Sequence, residues 1–176
     1  SDLDESTRLA DMATNVLDLT KVENQSILTN VTSFNVSEQI RTCVLLLEKK
    51  WTRKEIVINV DFEEHQIKAN EELLKQVWIN LIDNAIKFAP IKSEVEVTIS
   101  TTSQTTIVSI KNSGEKIANE NLMRIFSKFY QCDTSHSHEG TGVGLAIVKR
   151  IVDLHDGTIS VKSSERETDF IVYLPN

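Results

Sequence analysis

The chain has 176 residues, 40% hydrophobic and 26% charged, with a net charge of −7; that is enough for one globular domain with a sizeable core and a short appendage. The acidic balance, with no Lys/Arg cluster interleaved with aromatics, argues against a nucleic-acid surface. No apolar run approaches the roughly 18–20 residues of a membrane span, and Ser1-Asp2-Leu3-Asp4-Glu5 is no signal peptide, so this piece reads as soluble and without membrane contact.

Residues 3–23 place Leu9, Met12, Val16 and Leu19 at alternating spacings of three and four, with charged residues between them. This is the seam of one bundle helix, and Asn24-Gln25-Ser26 ends it before any second helix can pair with it. Residues 1–30 are therefore expected to be a truncated bundle helix whose partner lies upstream of Ser1 or on another chain, and residues 31–176 a separate α/β unit.

Within that unit, Thr32 to Val36 reads as a short strand. Ser37 reads as the N-cap of a helix over Glu38 to Trp51, with Ile40, Val44, Leu47 and Trp51 facing inward. Glu55 to Phe62 alternates as a strand, and Gln66 to Ala69 is a short strand leading into a helix from Asn70 to Ala89. Glu94 to Ser100 and Thr105 to Lys111 form a hairpin. Asn112 to Glu139 then runs without strands, which in a compact domain marks a lid or binding loop. A helix from Val143 to His155 and strands over Thr158 to Ser163 and Asp169 to Leu174 complete a mixed sheet. Cys43 and Cys132 have no disulfide or metal-type spacing and read as reduced, cytosolic thiols.

The helix from Asn70 to Ala89 organises the rest. At roughly 100° per residue, Gln76, Asn80, Asp83, Asn84 and Lys87 share one stripe while Leu74, Val77, Trp78, Ile79, Leu81, Ile82, Ala85, Ile86 and Phe88 cover the other faces, as in a helix buried nearly all round. A stripe facing water would more favourably carry Glu, Lys or Arg than two asparagines, each costing up to about 0.7 kcal/mol against alanine. Two amide oxygens one turn apart, followed by an ammonium, suit hydrated Mg²⁺ and phosphates; a neighbouring loop that bonds the stripe is the alternative. Gly140-Thr141-Gly142-Val143-Gly144-Leu145 runs into a helix, as a phosphate cradle does. It lacks the preceding strand of a dinucleotide-binding turn and the Gly-Lys-Ser/Thr ending of a P-loop, so a plain glycine turn is equally consistent with it alone.

Taken together, five motifs in order carry more. They are Asn80-Leu81-Ile82-Asp83-Asn84-Ala85-Ile86-Lys87-Phe88, Asn112-Ser113-Gly114, Phe126-Ser127-Lys128-Phe129-Tyr130, the glycine loop, and His155-Asp156-Gly157-Thr158. This series resembles the N, G1, F, G2 and G3 boxes of the catalytic and ATP-binding domain of bacterial sensor histidine kinases, from about Thr32 to the end. The resemblance implies an α+β fold, the two-layer Bergerat sandwich of a mixed sheet packed on helices, shared with gyrase-type ATPases and the heat-shock chaperone ATPase.

It also implies roles. Asn84 would ligate Mg²⁺, Asn80 would hold the surrounding water and phosphate network, and Lys87 would contact phosphate. Phe88 would flank the adenine of ATP in a pocket lined by Asn112, Gly114, Ile117 and Phe129. Arg124 would reach the terminal phosphate, while the loop of Gly140, Thr141, Gly142, Val143, Gly144 and Leu145 would hold the phosphate chain. The implied partners are a phosphoacceptor helical domain of the same protein, a response regulator and, in the full protein, a second copy. The implied place is the cytoplasmic side of a membrane-anchored sensor.

Position 80 separates kinase from hydrolase. In the related hydrolases a Glu one turn before the metal-binding Asn activates water, whereas Asn80 cannot act as a base, so the γ-phosphoryl is kept for a histidine. Asp83 has no catalytic role by resemblance. None of His65, His136, His138 and His155 stands in the family's His-Glu-x-Arg/Lys-x-Pro context, which puts the acceptor outside this chain. Three departures bear on affinity: in the G1 box Asn112 replaces the acid that accepts the adenine amino group and Lys116 a later glycine, in the last box Asp156-Gly157 replaces a glycine pair, and Glu167-Thr168-Asp169 replaces the glycine that often precedes the final strand. A degenerate regulatory module without phosphoryl transfer is the alternative they raise.

Overall fold

The computed structural model describes residues 21–24, 26–114, 117–122, 124–126 and 144–176. Of the expected N-terminal helix only the last turn lies among them; Lys21 to Glu23 is helical, and Val22 is buried in the core.

Strands β1 (Val31–Asn35) and β3 (Gln66–Asn70) pair antiparallel, while β2 (Val57–Asn59), β4 (Glu94–Thr101), β5 (Thr105–Ser113), β6 (Thr158–Ser163) and β7 (Glu167–Pro175) form a five-stranded sheet ordered β2-β4-β5-β7-β6. Only the β2–β4 pair is parallel, so the sheet is mixed. Period-two alternation puts Val95, Val97 and Ile99 of β4, Val108 and Ile110 of β5, and Phe170, Val172 and Leu174 of β7 on its buried face. Helices α1 (Val36–Leu46), α3 (Glu71–Phe88) and α5 (Gly144–Leu154) cover that face; α2 (Glu48–Arg53) and α4 (Asn119–Leu122) are short. The result is the expected two-layer α+β sandwich.

Helix α3 is the centre of the core. Leu73, Leu74, Val77, Trp78, Leu81, Ile82, Ala85 and Ile86 are all buried, while Ile79 and Phe88, expected on the covered faces, are half buried and Lys75 is exposed. Its start is capped by Asn70, whose Oδ1 accepts the Leu73 N–H at 3.0 Å, with Glu71 and Glu72 favouring the positive end of the dipole. Its end is capped by Lys54, whose Nζ donates to the carbonyls of Ile86, Lys87 and Ala89 at 2.8, 3.1 and 2.5 Å.

Three local expectations change. Asn35, not Ser37, caps α1: Asn35 Oδ1 accepts the Glu38 N–H at 2.9 Å, while the buried Ser37 hydroxyl donates to Glu63 O and accepts from the His65 N–H. The helix expected over Glu38 to Trp51 breaks at Leu47 into α1 and α2, the two tied by Trp51 Nε1 donating to Val44 O at 2.9 Å. Strand pairing in the segment from Glu55 to Phe62 is confined to β2, because Val60 and Phe62 pack against the core without a ladder and Arg41 covers the Phe62 ring at 5.6 Å.

The turn after α5 is built on Asp156 and Gly157. Asp156 is left-handed (φ 56°), its N–H reaches Asp153 O at 3.0 Å and the Gly157 N–H reaches Val152 O at 3.0 Å, the paired bonds of a Schellman cap with Asp where glycine is usual. Beside it, His155 is buried; its Nδ1 donates to Ile151 O at 2.8 Å and its Nε2 accepts the Asn70 N–H at 3.1 Å, so the ring is neutral and joins α5 to the start of α3. Burial holds its pKa below the ordinary 6.5, although the Ile151 carbonyl and Asp156 pull the other way. The unfolded chain therefore binds a proton that the folded chain refuses. Stability supplied by His155 is complete above about pH 6.5 and falls as the pH drops below it, by at most about 1.4 kcal/mol per pH unit. Urea melts between pH 7.5 and 5.5 are expected to show a smaller pH-dependent loss in His155→Gln than in the wild type; equal losses would mean that His155 is not the group titrating.

Candidate functional site

Asn80, Asn84 and Lys87 lie half buried along the stripe of α3, one turn apart, with Phe88 at its C-terminal end. Asn80 Nδ2 donates to Gln76 O at 2.8 Å. Its Oδ1 is turned toward the first residue of α5, since a Cβ added to Gly144 would come within 2.8 Å of it. A side chain at position 144 would have to displace the Asn80 amide, so glycine here lets the start of α5 lie close against the stripe. One turn earlier, Gln76 Oε1 is a buried acceptor without a hydrogen-bond partner among the described residues. Asp83 lies on the same stripe between two ammonium groups, Lys50 Nζ at 3.0 Å and Lys87 Nζ at 3.2 Å.

At the other end of α3, β5 delivers Asn112 and Gly114. Asn112 continues the inward series Thr106, Val108 and Ile110 and is buried, its Nδ2 donating to Ser113 O at 2.8 Å. One of the two amide hydrogens is thus engaged by the protein, and Oδ1 is an acceptor that a ligand could use. Gly114 has φ 154°, and a Cβ there would lie 3.1 Å from Phe88 O, so glycine closes this corner against the end of α3. The N–H of half-buried Ile117 donates to Ser163 Oγ at 2.8 Å, and that hydroxyl lies 2.9 Å from Thr168 Oγ1. Thr168 is buried and registers opposite Asn112. It adds a hydroxyl at the edge of this corner; the sequence reading met Thr168 only as part of the Glu167-Thr168-Asp169 departure and, by starting the last strand at Asp169, left it out of the site. The signal was present as Thr168-x-Phe170-x-Val172-x-Leu174, a polar residue in phase with the buried face.

Arg124 is exposed on the turn after α4, and Leu145, half buried, packs against the core. Phe129, Gly140, Thr141, Gly142 and Val143 lie outside the described residues, as does most of the expected lid. The site therefore runs from a neutral polar corner (Asn112, Gly114, Ile117) past Phe88 to Lys87, Asn84, Asn80 and the start of α5. That sequence of surfaces suits a flat heterocycle at one end and anions at the other. A separate cleft lined by Glu94, Glu96, Lys111, Ser113 and Glu167 as well as Asn112 carries three carboxylates and does not suit a polyanion.

The model of the family described as histidine kinase-, DNA gyrase B-, and HSP90-like ATPase matches residues 69–176, which hold α3, β5 and α5. This chain belongs to that family. Among curated relatives it is 32% identical over 177 residues to the sensor histidine kinase CusS of Escherichia coli and 32% identical over 167 residues to the heme sensor protein HssS of Staphylococcus epidermidis. It covers 37% and 36% of their lengths, while they match 99% and 95% of this chain. The catalytic domain of the histidine kinase ThkA superposes with a TM-score of 0.75 at 33% identity, covering 84% of this chain and 96% of that one. Full-length ShkA in complex with AMPPNP superposes with a TM-score of 0.84 at 25% identity, over 99% of this chain and 37% of that one. The fold and ATP-binding role of the family's histidine kinase branch thus apply to this domain. Among the described residues no helix is long and apolar enough to cross a membrane.

Proposed function

We propose that this domain binds Mg-ATP along the α3 stripe and passes the γ-phosphoryl to a histidine on a helical domain outside the chain, for relay to a response regulator. Residues 1–30 would belong to that helical domain, the full protein would work as a dimer, and the domain would sit on the cytoplasmic side of a membrane-anchored sensor. The CusS and HssS relatives support the reading, as does ThkA, which has been solved in complex with a response regulator protein, TrrA.

The residues fit the groups they would hold. Asn84 offers a neutral oxygen suited to Mg²⁺, Asn80 and the α5 N-terminus face the same space, and Lys87 supplies a movable positive charge. Bound Mg²⁺ would neutralise the β- and γ-phosphate oxygens. The single observation that carries the assignment is Asn80. Its Nδ2 is engaged by Gln76 O and its Oδ1 is an amide oxygen, too weak a base to take a proton from water. The chain positions and shields the γ-phosphoryl; the incoming imidazole nitrogen forms the new N–P bond as the bond to ADP breaks. Phosphate release by the chain alone in Mg-ATP tests this: no release above the buffer rate is expected, and multiple turnovers of free phosphate would assign a hydrolase instead.

Asn112 makes adenine binding adjustable. A carboxylate accepting the amino group contributes about 1.5–3 kcal/mol and an amide about 0.5–1.5, so Asn112→Asp is expected to tighten ATP about fivefold. The same change sets a buried carboxylate against Ser113 O, where Nδ2 now donates, so the apo protein should melt lower. Equal or weaker ATP binding by calorimetry would show that position 112 does not receive the adenine amino group.

A further inference from the structure

The stripe of α3 carries one charged group that the function above does not use. Asp83 is the least exposed member of a three-residue ion cluster: its side chain is 19% exposed, against 28% for Lys87 and 44% for Lys50. Each carboxylate oxygen has its own ammonium, Oδ1 with Lys50 of α2 and Oδ2 with Lys87 one turn along α3. The backbone of Lys87 is fixed, because its carbonyl accepts from Lys54 Nζ, so only its side chain can move.

We propose that Asp83 and Lys50 are positioning residues for Lys87: Asp83 holds the Lys87 ammonium away from the nucleotide when none is bound, and Lys50 keeps Asp83 paired when Lys87 moves to the phosphates. The proposal rests on the reading that Lys87 contacts phosphate. A phosphate chain competes for Lys87 with a single carboxylate, and the acid-before-lysine order at i and i+4 is the favourable one for that resting pair. Leaving a partly covered carboxylate without a cation is unfavourable, and Lys50 limits that cost by remaining on Oδ1. The two neighbours therefore act in opposite directions on ATP binding. Asp83 restrains Lys87 and Lys50 releases it.

The test is ATP affinity of the 176-residue chain with Mg²⁺, with adenosine as a probe that lacks phosphates. Asp83→Asn should tighten ATP about three- to fivefold and Lys50→Met should weaken it about two- to fivefold, as expected for half-exposed ion pairs. Lys50→Arg should keep the wild-type value, and none of the three should change adenosine binding. In a Lys87→Met background both effects should vanish, which a general charge effect of Asp83 would not do. If Lys87→Met itself leaves ATP affinity unchanged, the phosphate reading of Lys87 is wrong and the proposal falls with it. If Lys87→Met weakens ATP but Asp83→Asn is neutral or weakening, or if the effects persist without Lys87, the positioning role alone is overturned.

Discussion

Replacing Asn84 with alanine is expected to abolish Mg²⁺-dependent ATP binding while leaving the apo fold intact. The side chain is half buried on the polar stripe and lies outside the hydrophobic core, so its removal opens no cavity among Leu81, Ile82 and Ala85. Alanine is also the better helix former by up to about 0.7 kcal/mol, so the apo melting temperature should hold or rise slightly. The loss falls on the metal. Altering groups that merely support metal ligands costs about 10–100-fold, and removing the proposed ligand itself should cost at least the upper end of that range. Calorimetry with ATP in the presence and absence of Mg²⁺ reads the effect. Wild-type affinity in Asn84→Ala would remove this residue from the metal site.

Gly157→Ala should produce the largest change in stability. A Cβ at this position would lie 2.4 Å from Tyr173 O, 3.0 Å from Leu174 Cδ2 and 3.2 Å from Val152 Cγ1. The first contact is with backbone inside β7, which pairs with both β5 and β6 and cannot withdraw without breaking ladder bonds. Overpacking of this kind costs about 3 kcal/mol, the upper end of the usual range. At roughly 2–4 °C per kcal/mol for a chain of this size, the melting temperature should fall by about 6–12 °C. A fall of less than about 2 °C would show that the turn after α5 can shift away from the sheet. Asp156 next door requires its left-handed φ of 56° but faces no such wall, so Asp156→Gly should be mild by comparison.

The most legible parts of the molecule were those in which a single period covered many residues. Helix α3 combines 3.6-residue periodicity, an Asn cap and two acids in its first turn, and its ends fall within a residue of those read from the pattern. The hairpin of β4 and β5 was equally clear from alternation. Local competition defeated the reading elsewhere. At the start of α1, Asn35 and Ser37 both have capping chemistry, and the choice depends on Glu63 and His65, which lie far along the chain and engage the serine. The break at Leu47 has no glycine or proline to announce it, and the cross-link that ties its two helices is a tryptophan indole to a backbone carbonyl.

In the site, the motifs pointed to the elements that meet, α3, the end of β5 and the start of α5, because each motif carries its own local geometry. What they could not carry were contacts between elements. The pairing of Lys50 with Asp83 depends on how α2 lies across α3, and the placement of Thr168 beside Asn112 depends on the register of β7. Periodicity is silent on both.

The most direct measurement of the central claim is transfer in trans. The chain is incubated with γ-labelled ATP and Mg²⁺, alone and with a separately supplied helical phosphoacceptor domain of the kind proposed above. The account predicts no stable label on the chain alone, and acid-labile label on a histidine of the added region, lost when Asn84 is alanine. Robust acid-labile label on the isolated chain, mapped to His65, His136, His138 or His155, would contradict it.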